Sequence, residues 1–111
     1  MERDEVSFLK QGSVLKVVLC CELDHHAVGR IRRRIDEEVF YHSPETVVLD
    51  FSAVGFMDSS GIALILGRVE VAAAVGATVR LSGLSPSLMK LVRLSGVDRV
   101  RGVVIGSDSG V

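Results

Sequence analysis

Two short stretches hold the residues whose types could do chemistry: Glu22-Leu23-Asp24-His25-His26 and Asp58-Ser59-Ser60-Gly61. The second follows an apolar strand expected over 46–51, and it opens the most apolar helical segment of the chain. An acid, two hydroxyls and a glycine therefore fall at a helix N-terminus. Unpaired backbone N–H groups and the positive end of the helix dipole favour negative charge there. A phosphate carried on such a hydroxyl would be tolerated.

Catalysis by the same residues is harder to build. Ser59 or Ser60 as nucleophile, with His25 or His26 as base, would also need an orienting group, and the Gly-x-Ser-x-Gly elbow is missing. A metal site from His25, His26, His42 and a cysteine has no second ligand pair at a recognisable spacing. Adjacent histidines on a helix diverge by about 100°. The stronger rival is an aspartyl phosphate on Asp50. It ends one strand while Glu22 and Asp24 end another, as acids gather around a Mg²⁺-dependent phosphoacceptor. Against it, the chain opens with a hairpin, lacks a regular fivefold βα alternation, and carries no lysine after its last strand.

The elements that position these residues can be read in order. A strand over 6–10 turns at Gln11-Gly12-Ser13 into a longer strand over 14–23, whose alternating set Leu15, Val17, Leu19, Cys21, Leu23 is apolar. Asp24 caps a helix to about Tyr41, with Val28, Ile31, Ile35 and Val39 as its buried stripe. The run Arg32-Arg33-Arg34 could meet a phosphate or an acidic partner, but reads first as a solvated face balanced by Asp36-Glu37-Glu38. After the strand at 46–51 comes a helix over 60–75, with Ser59 as its plain N-cap if the serine has no other role. Its expected core stripe is Ile62, Ile65, Leu66, Val69 and Ala73. Leu64, Val71 and Val75 project to the far side beside Arg68 as a second apolar strip, which reads either as a helix flanked on both sides by other elements or as a protein-binding surface. A strand over 78–82, a helix capped by Ser85 with Pro86 first and Gly96 last, and a strand over 100–105 complete the chain. Residues 106–111 read as a flexible tail.

The expectation is one α/β domain over 1–111, ordered β-β-α-β-α-β-α-β. Its sheet of about five strands is mixed and mostly parallel, with helices mainly on one face. The net charge of −1 and five aromatics, none of them Trp, speak against a nucleic-acid binder. The charged N-terminus has no secretory pattern, and the apolar window 62–75 is too short to span a bilayer. A cytoplasmic address without membrane attachment is expected. Adjacent Cys20 and Cys21 suit free thiols in a reducing compartment.

Taken together, Glu22-Leu23-Asp24-His25-His26 and Phe56-Met57-Asp58-Ser59-Ser60-Gly61 resemble the anti-sigma factor antagonists of the STAS family. Ile65-Leu66-Gly67-Arg68, Leu84-Ser85-Pro86 and Leu94-Ser95-Gly96 extend the resemblance over about residues 6–105. It implies a substrate and not an enzyme. The serine after the motif aspartate, Ser59, would be phosphorylated by an anti-sigma factor that is also a serine kinase, and a metal-dependent phosphatase would restore it. The unphosphorylated form would bind the kinase and release its sigma factor, as in sporulation or in a general-stress partner-switching pathway. No cofactor of its own is implied, since ATP belongs to the kinase; a monomer or weak dimer is expected. Glu22 and Asp24 would dock a basic group of the kinase beside Ser59. Asp58 would position the hydroxyl or tune the local charge, Ser60 and Gly61 shape the turn, and Leu64, with Ile62 less so, supply apolar contact. Relatives of this type commonly end in a further amphipathic helix, which 106–111 cannot supply.

Overall fold

The computed structural model describes residues 4–106. Val6–Gln11 (β1) and Val14–Leu19 (β2) form an antiparallel hairpin whose turn places Gly12 at φ +57°. That left-handed position favours glycine, which has no Cβ to clash with the backbone. His25–His42 (α1), Thr46–Asp50 (β3), Ser59–Ala74 (α2), Thr78–Ser82 (β4), Pro86–Ser95 (α3), a short 3₁₀ turn at Val97–Arg99 and Val103–Ile105 (β5) follow. The five strands lie side by side in chain order, with β2 to β5 parallel. Parallel neighbours joined by right-handed crossovers that always step the same way carry their helices on one face. There α1 and α2 pack against each other over the sheet.

The alternation along the strands matches this one-sided cover. Leu15, Val17, Leu19, Val47, Leu49, Val79 and Leu81 point under the helices and are fully buried. Each such side chain contributes about 1.5–3 kcal/mol relative to an exposed one. On the opposite face, Leu9, Lys16, Val48, Arg80 and Val104 form a row in register across all five strands. Leu9 and Val104 at its two ends are exposed.

Several boundaries differ from the sequence reading. Strand β2 stops at Leu19, and the chain bends through Cys20-Cys21-Glu22 before Leu23 makes an isolated bridge. Strand β5 begins at Val103, because Gly96 ends α3 in a left-handed turn (φ +83°) and the chain first runs through the 3₁₀ turn. Gly106 closes the described chain; the rest of the expected tail, and any helix after β5, lies outside the described residues.

Helix α2 carries the main correction. Its buried residues are Gly61, Leu64, Ile65, Arg68 and Ala72, while Leu66 and Ala73 are exposed. The helix is rotated from the expected stripe by roughly one position. Leu64 keeps only 1% exposure and lies in the core, so it offers no apolar surface to a partner. Val71 and Val75 also pack partly against the core. The physical reason is the α1–α2 contact. Arg68 Nε approaches Asp36 Oδ1 at 2.7 Å, outside hydrogen-bonding alignment, as a largely buried ion pair between the helices. Burial raises the Asp36 carboxyl above its usual range and lowers the Arg68 guanidinium, each partly opposed by the other's charge.

Candidate functional site

The parallel β–α units bring the N-termini of α1 and α2 to the same rim of the sheet, outside the carboxyl ends of the strands. Ligand and partner sites on open α/β sheets commonly form there. What joins the two helix starts is backbone. The Leu23 N–H donates to the Phe56 carbonyl at 3.0 Å, and the Asp58 N–H donates to the Leu23 carbonyl at 3.4 Å. Leu23 and Met57 thus form an isolated parallel bridge, with both side chains buried. Each is followed at once by the aspartate that caps the next helix.

Those two caps set the local backbone. Asp24 accepts the Ala27 N–H at 2.9 Å and leads into α1. This bond, with help from the His26 N–H and nearby positive charge, holds its carboxyl below the usual range. Asp58 accepts the Ser60 N–H at 2.7 Å, and its carbonyl accepts the Gly61 N–H at 2.9 Å. The α2 cap is therefore Asp58, not Ser59. Ser59 is the first helical residue and its side chain is exposed. Asp58 orders the turn through the backbone rather than through a hydrogen bond to the Ser59 hydroxyl.

Gly61 is buried and acts by close approach. A Cβ there would lie 2.8 Å from Met57 Sδ and 2.9 Å from Met57 Cβ, so α2 can seat against Met57 only without a side chain at this position. Ser60 faces a cleft between the first turns of α1 and α2. Ile62 is half-buried against the core and keeps some surface. Glu22 is exposed at the bend before Leu23. Serines, Asp24, Asp58 and Glu22 are thus brought to one rim; Leu64 is not.

Two features of this rim escaped the sequence reading. Phe56 is 49% exposed while its carbonyl is pinned by Leu23, which leaves an aromatic ring at the surface on a fixed backbone three residues before Ser59. Its place next to the motif was visible, but not its exposure. Arg30 also donates to both carboxylate oxygens of Glu5, at 2.9 and 2.6 Å, and the Glu5 carbonyl accepts the Cys20 N–H. This clamp ties α1 to the point where the chain leaves β2. The arginine's hydrogen bonds hold the Glu5 carboxyl below its ordinary value. No local spacing announces a pair 25 residues apart.

The catalytic alternatives find little support in the geometry. Neither Ser59 nor Ser60 is hydrogen-bonded through its hydroxyl to an imidazole. Asp50 Oδ1 accepts the Ser52 N–H at 2.9 Å, and its other oxygen lies 3.6 Å from the Lys16 ammonium. Among the described residues no three His, Cys, Asp or Glu side chains gather to hold a metal ion, so Glu22, Asp24 and Asp50 do not form an acidic pocket. No described helix is long and apolar enough to cross a membrane.

A five-stranded sheet with this strand order, and an Asp-Ser-Ser-Gly turn heading its second helix, defines a class. The chain belongs to the STAS domain family, whose model matches residues 5–104. Within it, the chain is 40% identical to an anti-sigma F factor antagonist of Lysinibacillus sphaericus, over 77% of this chain and 84% of that protein. It is 34% identical to one of Paenibacillus polymyxa, over 78% and 74%. Among solved structures it resembles the anti-sigma factor antagonist SpoIIAA in its unphosphorylated form, with a TM-score of 0.77 at 30% identity over 94% of this chain and 90% of that one. The phosphorylated form of the Bacillus cell fate determinant SpoIIAA matches with a TM-score of 0.69 at 30% identity, over 94% and 93%.

Proposed function

We propose that this protein is an anti-sigma factor antagonist switched by phosphorylation of Ser59. The unphosphorylated chain binds an anti-sigma factor that is also a serine kinase and so releases its sigma factor. A metal-dependent phosphatase reverses the modification. ATP is bound by the kinase. The observation that carries the reading is the Leu23–Met57 bridge, which sets Glu22 and Asp24 on the same rim as an exposed serine at the first position of α2. The likeness to relatives named as such antagonists supports it.

The electrostatics suit a switch. Phosphorylation adds about −1.5 to −2 charges. Each unit charge about 5 Å from a partner carboxylate costs roughly 1–3 kcal/mol at dielectrics between water and protein surface. Two such encounters weaken binding at least about tenfold. Within the free domain, the N-terminus of α2 keeps the same phosphate tolerable. Fold survives and affinity falls.

Similarity to anti-sigma F factor antagonists favours the sporulation pathway over a general-stress pathway. Intact mass and site mapping after incubation with an anti-sigma kinase of the same genome and ATP test the proposal. One phosphate on Ser59, absent from Ser59→Ala, is expected. Binding without phosphorylation would reduce the motif to a docking turn.

A further inference from the structure

Beside the serine pair, the first turns of α1 and α2 enclose a cleft of about 370 Å³ lined by His25, Val28, Gly29, Arg32, Ser60 and Ala63. Its lining is mostly apolar, from Val28, Gly29 and Ala63, with a guanidinium and an imidazole among the polar groups. The arginines of α1 are not equivalent. Arg30 is held by Glu5, Arg33 pairs with Glu37 and Arg34 with Asp4. Arg32 alone of the four has no carboxylate within ion-pair distance among the described residues. Asp36, one turn on, is the nearest candidate by spacing, but it is committed to Arg68 at 2.7 Å. The arginine without a close ion-pair partner is the one that lines the cleft, and Asp36 acts on it only from beyond ion-pair distance.

We infer that this cleft is a second subsite of the antagonist's docking surface, and that it takes an acidic side chain of the kinase with an apolar stem, its carboxylate on Arg32. The inference rests on the function proposed above. A partner that covers Ser59 must also cover the cleft, because Ser60 is part of its wall. A stable interface of ordinary size buries about 800 Å² on each partner, far more than one turn supplies. The resulting surface is bipolar. Glu22 and Asp24 receive a basic group at the β2–α1 bend, and Arg32 receives an acidic one across the serines. Opposite charges at two separated points fix the orientation of docking, and wrong partners that present one sign to both are repelled. The sequence run Arg32-Arg33-Arg34 thus divides into one docking residue and two solvated ones.

Affinity of the kinase for the unphosphorylated chain tests this, with thermal unfolding as a check on fold. Arg32→Glu and Ala63→Phe, which reverses the charge and fills the cleft, should each weaken binding at least about tenfold. Arg32→Met should weaken it by several-fold, Arg32→Lys less, and Arg33→Glu should stay within about twofold. Unchanged binding by both Arg32→Glu and Ala63→Phe, with wild type binding well, overturns the subsite and leaves the antagonist reading standing. Weakening by Ala63→Phe with none by Arg32→Met or Arg32→Glu overturns the acidic occupant. Failure of the wild-type chain itself to bind any such kinase overturns both readings together.

Discussion

Leu23 and Met57, 34 residues apart in sequence, are paired in an isolated parallel bridge that fixes the distance between the two helix caps that follow them. One chain segment is the exit from β2 and the other is the entry to α2. Their backbone pairing gives the rim a rigidity that two separate loops would lack, while Phe51, Val54 and Met57 bury the apolar side of the turn. Ser59, Glu22 and Asp24 therefore lie on one surface.

Ser59→Glu should leave the melting temperature of the domain unchanged and lower kinase affinity at least about tenfold. Exposure of Ser59 at the first helical position leaves room for the longer side chain, and negative charge is favoured there. Circular dichroism on heating, beside titration calorimetry with the kinase, checks both halves.

Gly61→Ala should destabilise the protein. Alanine gains about 1 kcal/mol over glycine in a helix, but overpacking against Met57 costs about 1–3 kcal/mol. The contact is with Met57 Cβ as well as its flexible sulfur, so rotation of the methionine cannot relieve it. A net loss of roughly 1 kcal/mol, or about 4–6 °C in melting temperature, is expected. An unchanged or raised melting point would contradict the close approach.

Asp24 caps α1, and substitution can separate that role from the docking role proposed for it. Asparagine can still accept the Ala27 N–H and cap α1, whereas alanine cannot. Asp24→Asn should keep the stability and lose kinase affinity; Asp24→Ala should lose both. Equal affinity for wild type and Asp24→Asn would confine Asp24 to the cap.

The Asp36–Arg68 pair should behave as a buried ion pair. Asp36→Ala strands a guanidinium whose side chain is only 9% exposed and should cost about 3–5 kcal/mol. Replacing both with aliphatic residues, as in Asp36→Leu with Arg68→Met, should recover most of that loss. Urea unfolding of the single and double variants measures the difference.

Acid should release the Glu5–Arg30 clamp. The Glu5 carboxyl is lowered in the folded state by the Arg30 hydrogen bonds. Its contribution is therefore present above the unfolded value, near 4.5, and is lost as pH falls through the lower folded value. Glu5→Gln should be less stable than wild type at pH 7, and the two should converge as pH falls from about 4.5 through the lowered folded value. Asp36 works the other way, because its raised carboxyl favours the folded state as it protonates. Melting curves of both variants across pH 3 to 7 would resolve the opposing trends.

Local chemistry in the sequence determined a good deal by itself. Asp24 before an amphipathic stripe and Ser85-Pro86 with Gly96 mark helix ends through caps that act within three or four residues, and α1 and α3 begin and end there. Alternation in β2 disclosed a sheet covered on one face, and the apolar run of β3 disclosed a parallel strand between neighbours. The Asp-Ser-Ser-Gly turn announced itself through residue types alone. Residue type alone cannot choose the cap between Asp58 and Ser59, because Asp and Ser are equally good capping residues side by side; the structure gives it to Asp58.

Only tertiary structure decided which face of α2 is inside. That helix is apolar on several sides, so periodicity gave no single answer. The settled orientation buries a glycine and an arginine, the residues a hydrophobic pattern rejects. Gly61 is inside because Met57 needs the space, and Arg68 because Asp36 on α1 meets it. The same packing of α1 on α2 creates the cleft at Arg32 and removes Leu64 from the surface. Contacts between elements remote in sequence have no local period, and so they emerge only when the helices are laid on the sheet.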